Sequence, residues 1–204
     1  MIAIINYGVG NLHSLSSSLS FLKLDNIITS DEKEIRKADR IILPGVGAFA
    51  DAYAKLEGTK LIDVIKDETL NNKKPLLGIC LGMQLLFDRS FEYGEHKGLS
   101  LIPGEVVPIS EYMKIKQKIP HMGWNNLNIK QKSSLFKYVK EGDYVYYVHS
   151  YYARDCKDSV LVTSDYGGIE ITGAVACGNI FGTQFHPEKS GSVGLSILKA
   201  FSEI

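Results

Sequence analysis

The chain has 204 residues, of which 45% are hydrophobic and 23% charged, and its 23 basic and 23 acidic side chains give a formal net charge of +0. That length suffices for one domain with a substantial core, and the balanced charge excludes the basic excess that nucleic-acid binding requires. No apolar run approaches the about 18 residues of a membrane span, and the opening "MIAIINYGVGN" lacks a basic leader, so a cytoplasmic protein with no membrane or nucleic-acid partner is expected.

In chain order, "IAIIN" (2–6) is a β-branched run that stops at Gly8 and Gly10, after which Leu12, Leu15, Leu19 and Leu22 recur at helical spacing. The alternation continues with "NIIT" (26–29), the charged helical stretch "DEKEIRKA", "RIILP" (40–44), a helix within 49–71, and "PLLGI" (75–79) leading into a helix over "LGMQLLFDRS". Strands that are apolar on both faces and separated by helices predict a parallel sheet covered on both sides. From about residue 99 the runs shorten to "LIPGEVVPI", "YVYYVHSYYA", "VLVTSDY", "ITGAVACGN" and "IFGTQFH", for which antiparallel strands are expected, before a last helix in "GLSILKAFSEI". The expectation is a single α/β domain over 1–204, a mostly parallel central sheet flanked by helices with additional antiparallel strands in the C-terminal half.

Three cysteines, Cys80, Cys156 and Cys177, are an odd number without C-x-x-C spacing, which argues against a disulfide framework and against a metal site. Cys80 differs from the other two. Gly78, Cys80 and Gly82 form G-x-C-x-G at a strand-to-helix turn, the thiol counterpart of a nucleophile elbow. A buried structural role is commoner for a free cysteine, but the two glycines and the helix N-terminus favour a nucleophile whose neighbouring N–H groups, beginning with Leu81, receive an oxyanion. "IFGTQFHPEKSGS" (180–192) supplies a base: His186 ends an apolar strand and Glu188, two residues on in extended chain, holds the imidazole from behind. His13, His96, His121 and His149 have no acidic residue two positions away. A second oxyanion donor is expected from the turn Gly45, Val46 and Gly47 in "ILPGVGAF", although a simple strand-to-helix turn explains that segment equally well.

With these residues in place, "GICLGMQ" and "FHPEKS" together resemble the class I (triad) glutamine amidotransferase family. "YGVGN", "PGVGAF", "PHMGWN" and "VHSYY" are similar to one branch of it, the glutaminase subunits of imidazole glycerol phosphate synthases in histidine biosynthesis. The resemblance implies that Cys80 attacks the side-chain amide of glutamine, that His186 moves the proton and that Glu188 orients it. It also implies a γ-glutamyl thioester, with release first of ammonia and then of glutamate. By position, the resemblance also implies that Gln84 and Glu92 hold the backbone groups of glutamine and that Ser150 and Tyr151 form a substrate-contacting strand end. It implies no cofactor. The partner it implies is a (β/α)8-barrel cyclase subunit, in a heterodimer that passes ammonia internally, with Trp124 and Lys189 at the interface. On their own residues, Glu92 in "RSFEYGEHK" reads as a solvated loop acid, and alternation turns about half of the tyrosines in 144–152 inward whatever the function. Asn6 stands where this branch commonly has aspartate, which bears on a local turn and leaves the chemistry intact.

Two other function classes fit less well. "GVGNLH" with Asp31 about 20 residues on suggests dinucleotide binding, but His13 replaces the third glycine on which close helix–strand packing depends. A non-catalytic partner-binding module would have no use for Cys80, His186 and Glu188 together. No G-x-x-x-x-G-K-[ST] loop is present for ATP, and the basic run "KIKQK" (114–118) reads as a solvated loop.

Overall fold

The computed structural model of the protein describes residues 1–204. Its first part runs β1 (Ile2–Ile5), α1 (Leu12–Phe21), β2 (Asn26–Thr29), α2 (Glu32–Lys37), β3 (Arg40–Gly45), α3 (Phe49–Gly58), α4 (Leu61–Lys66), β4 (Leu76–Cys80) and α5 (Leu81–Leu85). There follow β5 (Arg89–Ser90), β6 (His96–Lys97), β7 (Glu105–Pro108), α6 (Ile109–Tyr112), β8 (His121–Asn126), β9 (Asn128–Ile129), β10 (Tyr144–His149) and β11 (Tyr151–Arg154). The chain closes with β12 (Val160–Tyr166), β13 (Ile169–Cys177), β14 (Ile180–Thr183) and α7 (Gly191–Ser202). No helix is long and apolar enough to cross a membrane.

The main sheet has eight strands in the order β2-β1-β3-β4-β14-β13-β12-β9. Strands from β2 to β14 are parallel, and β13, β12 and β9 continue the sheet antiparallel. Alternation along β1 explains why its whole run is apolar: Ala3 and Ile5 enter one core with Phe49, Leu56 and Phe87, while Ile2 and Ile4 enter the other with Leu15, Leu19 and Phe201. Helices on both faces cover these cores. α2 begins where Asp31 accepts from the N–H groups of Lys33 and Glu34 at 2.6 and 3.4 Å.

Three expectations about local structure need correction. The helix after Cys80 covers only residues 81–85, because the carbonyls of Leu85, Leu86 and Phe87 are taken by the N–H groups of residues 99–102 instead of continuing the helix. "IFGT" in β14 pairs antiparallel with β13 on one side but parallel with β4 on the other, so it belongs to the parallel core. "YVYYVHSYYA" breaks at Ser150 into two strands in different sheets: β10 pairs with β8 as an isolated ribbon, and β11 joins the four-stranded sheet β11-β7-β5-β6. The partner of that ribbon, the strand in "PHMGWN", had no strand signal of its own beyond its aromatic residue.

Candidate active site

Cys80 ends β4 with φ 55° and ψ −110°, a conformation rare for a residue with a side chain. Its neighbours make the turn possible. A Cβ on Gly78 would stand 2.7 Å from the Gly82 carbonyl oxygen, and one on Gly82 would stand 1.8 Å from the Leu43 oxygen, so only glycines let α5 fold back across β3 and β4. The sulfur opens into a cleft of about 440 Å³, whose wall includes Val46, Gly47, Leu81, Gln84, Glu92, Ser150, Tyr151, His149 and His186. With five residues, α5 offers a smaller dipole than expected, and what it brings to the thiol is the unpaired N–H groups of one turn.

His186 lies beyond the end of β14 and not on it, its N–H bonded to the Tyr146 carbonyl of β10 at 3.0 Å. Pro187 opens a short 3-10 turn over Pro187–Lys189, so Glu188 reaches the ring by turning back and not through extended chain. Its Oε1 accepts from His186 Nδ1 at 2.8 Å, which leaves Nε2, buried and without a hydrogen-bond partner, as the nitrogen available to Cys80. Burial pulls the imidazole pKa down, but the Cys80 sulfur and the Glu188 carboxylate outweigh it and push the value up to about 10. Burial pushes the thiol of Cys156 up to about 11. Cys177 is exposed, on the last residue of β13.

The other expected residues gather around the same cleft in different ways. Gly45 is in register with Cys80 across β3 and β4, and a Cβ there would meet the Gly82 nitrogen at 2.7 Å and the Tyr7 hydroxyl at 2.9 Å. Val46 is exposed, and Gly47 has φ +95° with no atom within 4 Å of where a Cβ would stand. Gln84 is buried and donates from Nε2 to the Tyr151 carbonyl and to Gln184 Oε1, both at 3.0 Å. Glu92 is half-buried; it accepts from the Phe49 N–H at 2.6 Å at the start of α3, and burial raises its pKa. It is therefore neither a solvated loop acid nor a free carboxylate. Ser150 and Tyr151 sit at the break between β10 and β11, and that break brings both into the cleft wall. Trp124 and Lys189 lie outside the cleft: Trp124 is 56% exposed, and both pack on Tyr146, the indole edge-on at 6.1 Å and the ammonium 5.9 Å above the ring. Asn6 accepts from the Gly8 N–H at 3.3 Å in the first turn.

Sequence reading missed three residues of this site. Gln184 Nε2 lies 3.7 Å from Cys80 Sγ, His149 lines the cleft, and the Tyr7 hydroxyl donates to the Pro44 carbonyl at 2.7 Å, next to the turn of Gly45, Val46 and Gly47. None stands at a telling spacing from Cys80, and only the pairing of strands brings them there.

Compared with known proteins, residues 3–203 match the family model for class I glutamine amidotransferases. The chain belongs to the class I glutamine amidotransferase family. Among curated relatives of this amidotransferase, imidazole glycerol phosphate synthase subunit HisH of Bacillus cereus is 51% identical over 205 residues, covering 100% of this chain and 95% of the relative. The protein of the same name from Bacillus mycoides is 49% identical over 204 residues with the same coverage. Two solved structures share the fold at low identity. PurLQS from Thermotoga maritima aligns with TM-score 0.72 and 19% identity over 99% of this chain and 97% of its own. The glutaminase domain of CTPS from Trypanosoma brucei aligns with TM-score 0.64 and 18% identity over 99% and 93%. The fold is that of the family, and the chain is an enzyme of the amidotransferase class.

Proposed function

We propose that this chain hydrolyses glutamine to glutamate and ammonia and supplies the ammonia to a (β/α)8-barrel cyclase subunit that makes imidazole glycerol phosphate in histidine biosynthesis. The observation that carries the reading is a half-identical match, end to end, to relatives named as subunits of that synthase. The whole of 1–204 acts as one amidotransferase domain, in the cytoplasm, where its three free thiols remain reduced.

In this reading the proton of Cys80 already resides on His186 Nε2 before attack, as the raised pKa of the ring requires, and the sulfur attacks the side-chain amide carbon of glutamine. The oxyanion is received by the Leu81 N–H and by a donor from the turn Gly45, Val46 and Gly47. His186 then returns its proton to the leaving nitrogen, ammonia departs, and a γ-glutamyl thioester remains on Cys80. Water activated by the same imidazole cleaves the thioester to glutamate and restores the thiol. Glu188 holds the Nδ1–H tautomer throughout, which keeps Nε2 on the reacting side. Gln84, Glu92, Ser150 and Tyr151 orient the substrate; the half-buried carboxylate of Glu92 suits an ammonium group.

Ammonia released into neutral water becomes ammonium and ceases to be a nucleophile, so the product has value only if it is handed on directly. The patch of Trp124, Met122 and Lys189 supports docking of the cyclase there, since Met122 and Trp124 project from one face of β8 and are 63% and 56% exposed. The test is glutamine hydrolysis with and without the cyclase. Turnover is expected to rise on assembly, and Cys80→Ala should abolish it while leaving synthesis from added ammonium salts. Substantial hydrolysis by Cys80→Ala would refute the assignment.

A further inference from the structure

We propose that His121 and His149 form a positioning relay that seats the β8–β10 ribbon against the cleft and, through Tyr151, Gln84 and Gln184, holds the sulfur of Cys80 in place. The proposal rests on the glutaminase reading of the cleft and adds two residues to it.

The chain of bonds can be followed atom by atom. Asn125 Nδ2 lies 3.2 Å from His121 Nε2, His121 Nδ1 lies 2.9 Å from His149 Nε2, and His149 Nδ1 lies 2.8 Å from the Tyr151 carbonyl oxygen. That oxygen also accepts from Gln84 Nε2, which donates in turn to Gln184 Oε1, and Gln184 Nε2 faces Cys80 Sγ at 3.7 Å. The direction of every bond follows from its ends. A carbonyl only accepts, so His149 carries its hydrogen on Nδ1 and offers Nε2 as an acceptor. His121 must therefore donate from Nδ1, and its own Nε2 accepts from Asn125. The Asn125 amide is oriented independently, because its Oδ1 accepts from the Asn126 N–H at 2.9 Å and its Nδ2 donates to the Asp165 carbonyl at 2.9 Å.

Both rings are neutral in this arrangement, since a second proton on His149 would set N–H against N–H. Burial, joined for His149 by the neighbouring His121 and His186, lowers His121 to about 4 and His149 to about 3. His121 is further clamped between the rings of Tyr147 and Tyr166, with centroids at 4.6 and 4.1 Å. His121, His149, Gln84 and Gln184 are all buried, so a lost link leaves a polar atom poorly paired.

The reason such a relay is needed lies in the topology. No strand ladder joins the β8–β10 ribbon to either of the other sheets. Yet β10 provides the Tyr146 carbonyl that anchors His186, and leads directly into Ser150 and Tyr151. Its seat therefore depends on single backbone bonds such as that one, on the packing of Val145 and Tyr147 in the core, and on side-chain bonds such as Asn125 to the Asp165 carbonyl and Gln84 to the Tyr151 carbonyl, between which the histidine pair lies. A shift of the ribbon moves the base and the substrate-side wall together, and misplacement by about 1 Å suffices to cost a large factor in rate.

The experiment compares His121→Leu, which leaves His149 Nε2 without a donor, with His121→Asn, whose side-chain N–H can stand in for Nδ1–H. Two rates are measured on the full chain: iodoacetamide alkylation of Cys80, and glutamine turnover in the presence of the cyclase. Long-range proton–nitrogen NMR reads the imidazole tautomers of the wild-type chain. We expect both His121 and His149 as neutral Nδ1–H tautomers between about pH 6 and 8, a loss of about tenfold in both rates for His121→Leu, and recovery to within about threefold for His121→Asn. An imidazolium or an Nε2–H tautomer at His149, wild-type rates in a folded His121→Leu protein, or equal losses in the two variants would each overturn the relay. Should His121→Leu fail to fold, the tautomers and His121→Asn still decide. Absence of glutamine turnover by the wild-type complex would instead refute the glutaminase reading, and alkylation and NMR would judge the relay independently.

Discussion

In the proposed mechanism His186 moves the proton and Glu188, bonded to its Nδ1 at 2.8 Å, aims the ring. His186→Ala removes the only base beside Cys80 and should lower kcat/KM for glutamine by about 10³-fold or more; Glu188→Gln keeps an oxygen for Nδ1–H and should lose about 10-fold to 100-fold. A larger loss for Glu188→Gln in steady-state assays would point to a different acid–base pair. Histidines also set the pH range of stability, with opposite signs. His121 and His149 have folded values of about 4 and about 3 against 6.5 for a free ring, so below about pH 6.5 the unfolded chain binds protons that the native chain refuses. Unfolding free energy should fall on acidification by up to about 1.4 kcal/mol per pH unit for each ring, levelling off near those folded values. His186 acts in the other direction: held at about 10, it contributes stability that is complete below 6.5 and lost as pH rises through about 10. Urea midpoints measured from pH 4 to 10 should therefore pass through a maximum, and His121→Asn should flatten the acid limb alone.

Among the elements, the elbow and the turn of Gly45, Val46 and Gly47 use glycine for different reasons, and substitution should separate them. In Gly82→Ala the new methyl meets the Leu43 carbonyl at 1.8 Å, and neither strand nor helix can yield, so a loss of about 3 kcal/mol or more in unfolding free energy is expected. Gly47→Ala meets no atom and bears only the strain of φ +95°, about 1 kcal/mol. Its effect should fall instead on turnover, because the turn beside Cys80 then loses the backbone freedom to aim a donor. Urea denaturation alongside glutaminase kinetics distinguishes the two, and similar stability losses for both would contradict the steric argument. The elbow was readable because its glycines are local. The end of α5 was not, because apolar periodicity continues through Leu86 and Phe87 while distant N–H groups take their carbonyls.

For the whole molecule, the parallel strands bring Cys80 to one end of the sheet, and the ribbon β8–β10 forms a wall beside it with two distinct faces. Alternation points His121 inward and Met122 and Trp124 outward, so the proposed docking patch and the buried histidine pair are separated by the thickness of one strand. Tyr146 belongs to both sides: its carbonyl anchors His186, and its ring carries Trp124 and Lys189. Trp124→Ala should weaken cyclase binding by about 30-fold, the effect of a single aromatic anchor, with unfolding free energy changed by less than about 0.5 kcal/mol. Titration calorimetry together with thermal unfolding checks this. Unchanged affinity would move the interface elsewhere.

Local rules were enough to read the alternating strands and helices, the elbow at Gly78, Cys80 and Gly82, and the pairing of His186 with Glu188, because each depends on residues a few positions apart. Glycine conformations, side-chain periodicity and a two-residue reach operate within one turn or one strand. Long-range register decided the rest. Gln184 meets the sulfur across 104 residues of sequence, and Gln84 meets the Tyr151 carbonyl across 67. His121 and His149 looked unremarkable among aromatic residues, yet pairing of β8 with β10 sets them opposite each other. Glu92 looked solvated until its loop closed on the start of α3. Such contacts follow from which strands pair and where a run such as 144–154 breaks, and these are properties of the packed sheets that no short window of sequence contains.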